Sequence, residues 1–493
     1  MIDADSRAEF HNNAAFCVGT GRMGLALQRE YQDQLRAVQA LCGFRHIRGH
    51  GLFCDDMAIY QPYTDAEGSQ RVSYNFTYLD RVMDDYLAAG LKPFLELGFM
   101  PGKLASGEQT IFYWKGNTTP PKDEDQWTAL VRATLRHLRD RYGAAEVSAW
   151  PCEVWNEPNL PGFWKDADKP AYLRLYEITA PAIKSVLPDM PVGGPAICGG
   201  EGSQQWIRDF LSFCEAKDLP VDFVSRHAYM GQTPERRGRY LYHEMCPVEA
   251  TMAEMRASRE IIDSFPRFRG IPMHITEFNT SYNPFCPIHD TLFNAVKIAG
   301  LLSRLGDVAA SYSYWTFGDV FEEKGVPPTP FHGGFGLMAN GMIPKPTLWT
   351  FHFFNNLSGE CVYRDGHLVL MKRPDGGYEG VAWNAAEDGE DEVEIDLMLP
   401  VEGRYAVLER TVDDRHGNPL PLWLAMGQPA SLSREHRDFL REAARPEHRA
   451  GTIRAEKGKI ALTVKLGRYQ VTHLRLLPVE AAGDYGYDPE MYL

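Results

Sequence analysis

The chain has 493 residues, 44% of them hydrophobic and 24% charged, with a formal charge of −15 at pH 7. That length is too great for one ordinary domain and suits a barrel of about 250–400 residues plus an accessory module, and the apolar share supports a large core rather than disorder. The acidic balance excludes nucleic acid and anionic membrane as partners, since both need a concentrated basic face, and favours a neutral substrate.

In chain order, short apolar runs at residues 16–19 and 44–48 read as the first two strands, and further candidates lie at 93–97, 154–155, 191–194, 221–226, 273–275 and 312–315. Helical periods fall between them. Tyr31, Leu35, Val38 and Cys42 stripe one face, as do Phe76, Leu79, Met83 and Tyr86 before a capping Gly90, and Trp127, Val131, Leu135 and Leu138 before Gly143. Leu292, Val296, Ala299 and Leu302 supply a later example. Eight alternations predict an α/β fold, a (β/α)8 TIM barrel, over residues 14–335. A doubly wound sheet rarely needs eight units and usually shows a glycine-rich phosphate turn; Gly19-Thr20-Gly21 is too short for one and reads as a tight strand-loop turn.

After about residue 340 the texture changes to short alternating runs, at 367–371, 380–383, 393–397 and 460–464, which predict antiparallel strands. Residues 336–493 are therefore expected to form a C-terminal β-sandwich accessory domain, joined by N-terminal residues 1–13 as an extra strand. Within it the Arg- and Glu-rich stretch 433–447 predicts an exposed helical insertion, with His436 and His448 solvated. Trp349, Trp383 and Trp423 could form a carbohydrate-binding strip, but core positions, with the sandwich as a brace, fit tryptophan better. No basic segment followed by an apolar one opens the chain, and no apolar run reaches about 18 residues, so a cytoplasmic location without membrane partner is expected. Nine scattered cysteines with no Cys-x-x-Cys pair predict free thiols and no metal site.

Chemistry concentrates at two strand ends. Glu153-Val154-Trp155-Asn156-Glu157-Pro158-Asn159 aims a carboxyl group into the barrel mouth, and His274-Ile275-Thr276-Glu277-Phe278-Asn279 delivers a second. Barrel enzymes work from this C-terminal face, and two carboxyl groups on rigid strands are the minimum for cleaving a glycosidic bond. Either glutamate alone could equally cap a helix or pair with an arginine; two, ending strands four and seven, make catalysis the better reading.

These two segments, with Val18-Gly19-Thr20-Gly21-Arg22, Arg48-Gly49-His50-Gly51-Leu52-Phe53, Phe112-Tyr113-Trp114-Lys115-Gly116-Asn117, Gly193-Gly194-Pro195-Ala196 and Ser225-Arg226-His227-Ala228-Tyr229, resemble glycoside hydrolase family 39, the β-xylosidases in particular. The likeness spans roughly residues 10–350. It implies a cofactor-free, retaining, exo-acting enzyme that takes xylose from the non-reducing ends of xylo-oligosaccharides, with Glu277 as nucleophile and Glu157 as general acid/base. By the same resemblance Asn156 holds the sugar 2-hydroxyl and His227 and Tyr229 surround the carboxyl groups; Arg48 reads either as a partner that keeps Glu277 ionised or as half of a buried ion pair beneath the site. His50 reaches a ring hydroxyl, Trp315 forms a platform beneath the sugar, and one of Phe112, Tyr113 and Trp114 closes the pocket's side. Glu322 or Glu323, in an acidic loop with Asp319 that otherwise reads as solvated, accepts from the terminal sugar. The rival readings are an α-L-iduronidase, which wants a basic cluster beside the subsite, another retaining arabinosidase, glucosidase or xylanase, and a sugar-binding protein on a retired scaffold. Oligomeric state is left open.

Overall fold

The computed structural model describes residues 2–3, 7–387, 389, 391–479, 486, 488 and 491. Eight parallel strands follow one another around a closed barrel: β1 (Cys17–Arg22), β2 (His46–His50), β3 (Lys92–Leu97), β4 (Cys152–Val154), β5 (Val192–Ile197), β6 (Phe223–Tyr229), β7 (Met273–Asn279) and β8 (Ser311–Tyr314). The ring shuts where Ser313 and Tyr314 register with Cys17 and Val18. Each strand is followed by a helix: α1 (Arg29–Cys42), α2 (Thr77–Ala88), α3 (Glu124–Tyr142), α4 (Lys169–Lys184), α5 (Ser203–Ala216), α6 (Val248–Ser264), α7 (Leu292–Leu302) and α8 (Pro346–Asn355).

The helical stripes face inward as their spacing dictates. Tyr31, Leu35, Val38 and Cys42 of α1 are all buried, the two aliphatic side chains Leu35 and Val38 each gaining about 1.5–3 kcal/mol from burial. The α3 stripe behaves likewise and stops at Gly143, with φ +92°. α2 ends a residue or two before Gly90, which follows with φ +76°.

Two expectations need correction. Gly19-Thr20-Gly21 lies inside β1 rather than in a turn. Its glycines make room for rings: a Cβ on Gly19 would fall 2.5 Å from Trp315 Cε3, and one on Gly21 2.9 Å from Phe321 Cδ2. The helix completing the ring, α8, lies beyond residue 335. It is tied to α1 and α7 by His352 Nδ1 to the Leu41 carbonyl (2.7 Å), Asn355 Nδ2 to the Cys42 carbonyl (2.7 Å) and Thr350 Oγ1 to the Ala295 carbonyl (3.1 Å). Its sequence is apolar nearly all round, so no stripe marks it as a surface helix.

The C-terminal region is antiparallel. One six-stranded sheet takes β9 (Glu360–Arg364), β10 (Leu368–Lys372), β11 (Tyr378–Trp383), β13 (Arg404–Val412), β14 (Glu447–Arg454) and β16 (Val471–Pro478); β12 (Glu392–Leu399) and β15 (Ile460–Gly467) pair in a second sheet. Residues 2–3 add a parallel strand against Leu397 and Met398 of β12. The sheets share a core that includes Leu368, Leu370, Tyr378, Leu397, Val464 and Leu476, while Val369, Val381 and Trp383 turn toward the barrel helices. Trp383 and Trp423 are buried, and Trp349 donates to the Ala444 carbonyl at 2.7 Å, so none forms an exposed strip. Arg434–Ala443 is a largely exposed helix whose cap joins Ser433 and His436. All nine cysteines are free thiols. No helix among the described residues is long and apolar enough to cross a membrane.

The loop leaving β8 is pinned by a buried ion triad. Lys345 Nζ lies 2.6 Å from both Asp290 Oδ1 and Asp319 Oδ2 and donates to the Gly334 carbonyl at 2.8 Å. The two aspartates accept the amides of Gly333 and Gly336, each at 2.7 Å. Asp319 is thus fully buried, not solvated. Removing one partner strands the other charges, so Lys345→Met is expected to cost about 3–5 kcal/mol in a denaturant melt. A melt indistinguishable from wild type would contradict this.

Candidate active site

Glu157 and Glu277 reach the mouth by different routes. β4 ends at Val154, and the chain then turns through Trp155 (φ +72°) and Glu157 (φ +45°). Non-glycine residues held in this region cost of order 1–3 kcal/mol each and persist where surroundings over-determine them; here the Glu157 amide donates to the Ala196 carbonyl of β5 at 2.9 Å. Glu277 lies inside β7, two residues short of its end rather than at its tip. The register with β8 slips between Ile275 and Phe278, and that with β6 between Arg226 and His227. Bulges of this kind re-aim a side chain, and they place Glu277 opposite His227.

One guanidinium organises the floor. Arg48, fully buried, donates through Nε to Glu153 Oε2 (2.7 Å), through Nη1 to Glu277 Oε1 (2.8 Å) and through Nη2 to Asn156 Oδ1 (2.8 Å), and its Nη2 also lies 3.0 Å from Glu96 Oε2. Glu96 Oε2 is 2.6 Å from His50 Nδ1, whose Nε2 stands 3.5 Å from Glu277 Oε1. Thr276 Oγ1 donates to Glu153 Oε1 at 2.9 Å. The other oxygen of Glu277 accepts from Tyr229 Oη at 2.7 Å. His227 Nδ1 lies 2.8 Å from Glu157 Oε1 and 3.4 Å from Glu277 Oε2. One oxygen of Glu157, one nitrogen of His227 and one oxygen of Glu277 all lie within 4.8 Å of one another.

The environments of the two glutamates differ. Burial, then the charges of Glu277 and Glu323, hold Glu157 well above the usual carboxylate range. Burial raises Glu277 as well, but Arg48, His50 and the Tyr229 hydrogen bond oppose it, so the proton of the pair resides on Glu157. Burial pulls His50 down to about 4 and holds His227 well below the ordinary imidazole value; both are neutral near pH 7. Because the Glu277 charge helps hold Glu157 high, Glu277→Gln is expected to lower the Glu157 titration midpoint in a carboxyl 13C NMR experiment. A midpoint that stays put or rises would contradict the coupling.

The pair lines a cavity of about 570 Å³ together with His50, Tyr229, Trp315, Glu323, Phe163 and Phe335, within the range of about 300–1,000 Å³ for small-molecule sites. Trp315, one residue past β8, is held by its amide to the Phe278 carbonyl (3.0 Å) and by Asn279 Nδ2 to its own carbonyl (2.6 Å), and its ring stands 4.6 Å from that of His50. Of the adjacent acids, Glu323 faces the cavity. Glu322 does not, because it pairs with Arg22 Nη2 at 2.8 Å. Tyr113 is also outside, 62% exposed at the tip of a short hairpin, although its amide donates to the Glu323 carbonyl at 2.8 Å. Phe112 packs behind the wall, 6.0 Å from the His50 ring and 5.4 Å from Phe163. Among the described residues of the site, the buried atoms Asn156 Nδ2, His227 Nε2 and Glu96 Oε1 have no hydrogen-bond partner.

Sequence reasoning passed over Glu96, Phe163 and any role for Glu153 beneath the site. The available signal was an acid inside an apolar strand, in Phe94-Leu95-Glu96-Leu97 and in Cys152-Glu153-Val154, because a charge there requires a buried partner. Glu157, His227 and Glu277 also have the spacing of a cation site, but Arg48 and Tyr229 already engage the oxygens of Glu277 and His227 engages Glu157.

Residues 2–461 match the model of Glycosyl hydrolases family 39. The chain belongs to this family. A β-xylosidase of Geobacillus stearothermophilus is 48% identical over 489 residues, 98% of this chain and 95% of the relative. One from Caldicellulosiruptor saccharolyticus is 34% identical, covering 87% and 88%. The crystal structure of a monomeric β-xylosidase from Caulobacter crescentus CB15 superposes with a TM-score of 0.87 at 32% identity, covering 97% of this chain and 99% of that one. The family 39 match extends past the barrel into the sandwich, so the two regions recur together.

Proposed function

We propose that this chain is a retaining β-xylosidase that removes xylose from the non-reducing end of neutral xylo-oligosaccharides. The observation that carries it is the approach of Glu157 and Glu277, with oxygens within 4.8 Å, in a family 39 chain 48% identical to a β-xylosidase. Retaining enzymes set their carboxyl groups about 5–5.5 Å apart and inverting ones about 6.5–9.5 Å, the wider gap admitting a water.

In the first step a Glu277 oxygen attacks the anomeric carbon while Glu157 gives its proton to the departing glycosidic oxygen, leaving a xylosyl ester on Glu277 and a free leaving group. In the second, Glu157 as carboxylate takes a proton from water, whose oxygen displaces Glu277 from the same carbon and restores both residues. Esterification removes the Glu277 charge that helped hold the proton on Glu157, which suits the change from acid to base. The unpartnered Asn156 Nδ2 is available to a substrate hydroxyl, and Asn156 is itself oriented by Arg48. Trp315, with Phe321 and Phe335 packed behind it, would wall the sugar-binding end, which favours release of single residues from a chain end.

The cavity's lining weighs against a uronide substrate. Glu157, Glu277, Glu323 and Glu254 border it, with no Lys or Arg among the described lining residues, whereas a carboxylated sugar calls for a basic partner. A panel of p-nitrophenyl glycosides tests the specificity. Highest kcat/KM on the β-xyloside is expected; no turnover of it, or preference for an α-L-iduronide, would reject the proposal.

A further inference from the structure

The cavity continues past the two catalytic candidates. His50, Trp315 and Glu323 border one part, while on the Glu157 side its wall passes through Cys198, Gly199, Gln232 and Glu254. This second part is tied to the loop carrying Glu157: Asn159 Oδ1 accepts the Cys198 amide and Asn159 Nδ2 donates to the Cys198 carbonyl, both at 3.1 Å. If Glu157 protonates the departing oxygen, as proposed above, the departing sugar occupies this end.

Among the described lining residues, Glu254 of α6 is the ionic group here. Its carboxyl group pairs with Arg226, whose side chain is fully buried in β6 beside His227, and accepts from Ser203 Oγ at 3.4 Å. The anchoring is rigid, since Arg226 also donates to Ser258, which holds Gln204 at 3.0 Å. Yet the Glu254 side chain remains 33% exposed. The bare Gly199 permits this: a Cβ there would lie 2.9 Å from Glu254 Oε1. A carboxylate fixed by a buried cation and turned to a sugar-sized space accepts hydroxyl groups and repels a second carboxylate.

We propose that Glu254 is a specificity-determining residue of the leaving-group end: it accepts a hydroxyl of a neutral departing sugar and disfavours leaving groups that carry a carboxylate, such as uronic acid units. Two probes differing only in that charge are xylobiose and β-xylosyl-(1→4)-glucuronic acid. The intact enzyme should favour xylobiose in kcat/KM, and Glu254→Gln, which keeps shape and a carbonyl acceptor, should shrink the preference by about fivefold, the scale of one like charge about 4 Å away when screened nearly as in bulk water. In the unmodified enzyme, rising ionic strength should narrow the same preference. That salt series decides the matter if the variant does not fold. An equal loss of kcat/KM on both probes would show that Glu254 only neutralises Arg226, and a preference indifferent to both charge removal and salt would also overturn the proposal. Failure of the intact enzyme on both probes would instead overturn the xylosidase assignment beneath it.

Discussion

Glu277→Ala is expected to lower kcat on aryl β-xylosides by on the order of 10⁵-fold, the scale on which losing a covalent nucleophile is felt. The reason lies in its surroundings. Arg48, Tyr229 and His50 all address the Glu277 carboxyl group, while Glu153 engages Arg48 through Nε and Glu96 lies against Arg48 Nη2 and His50 Nδ1. Removing the side chain leaves an anion-sized gap over a buried cation, so azide should enter it and attack the sugar from the vacated side. The product would be the xylosyl azide of inverted configuration, identifiable by its anomeric proton coupling. Azide product of retained configuration would mean that the two roles had been exchanged.

Glu157→Ala should behave differently because its loss depends on the leaving group. A proton donor matters most when the departing oxygen is basic, and general acid catalysis contributes about 10²–10⁴-fold. Xylobiose turnover should therefore fall toward the upper part of that range, while a dinitrophenyl xyloside should still form the ester and then stall for want of a base. Azide should relieve the stall and give the retained azide. Burst kinetics followed by a slow steady state on the activated substrate would report it; a uniform loss on poor and good leaving groups would contradict the assignment.

Much of this was legible in the residues. Glu157 and Glu277 stood out because each interrupts an apolar strand end with a charge, and the eight-fold alternation around them admitted few folds. Adjacent positions were harder. Glu322 and Glu323 are neighbours of identical chemistry, and only the placement of Arg22 beside one of them separates the ion pair from the cavity wall. Tyr113 falls at the exposed tip of a two-strand hairpin, a placement that no spacing reveals. Glu96 and Glu153 became meaningful once Arg48 was seen between them, since a buried acid cannot be assigned before its counter-charge is placed. Lys345 carries no pattern at all. Its importance arises from two aspartates, 55 and 26 residues away in sequence, that the β7 and β8 connections bring to it.

The charge environment also fits the proposed division of labour between two chemically identical side chains. Both are buried, and burial alone would protonate both. Arg48 lies against Glu277 and reaches Glu157's neighbourhood only through Asn156, while the partner offered to Glu157 is a neutral imidazole. In the proposed mechanism it is this asymmetry of charge, not position along the barrel, that gives attack to Glu277 and proton transfer to Glu157.

The most direct measurement is the configuration of the first sugar released, followed by proton NMR before mutarotation equalises the anomers. Attack by Glu277 and then by water on opposite faces predicts that β-xylose appears first and α-xylose accumulates only later. Early α-xylose would mean a single displacement by water, and a pair of glutamates this close could not be working as described.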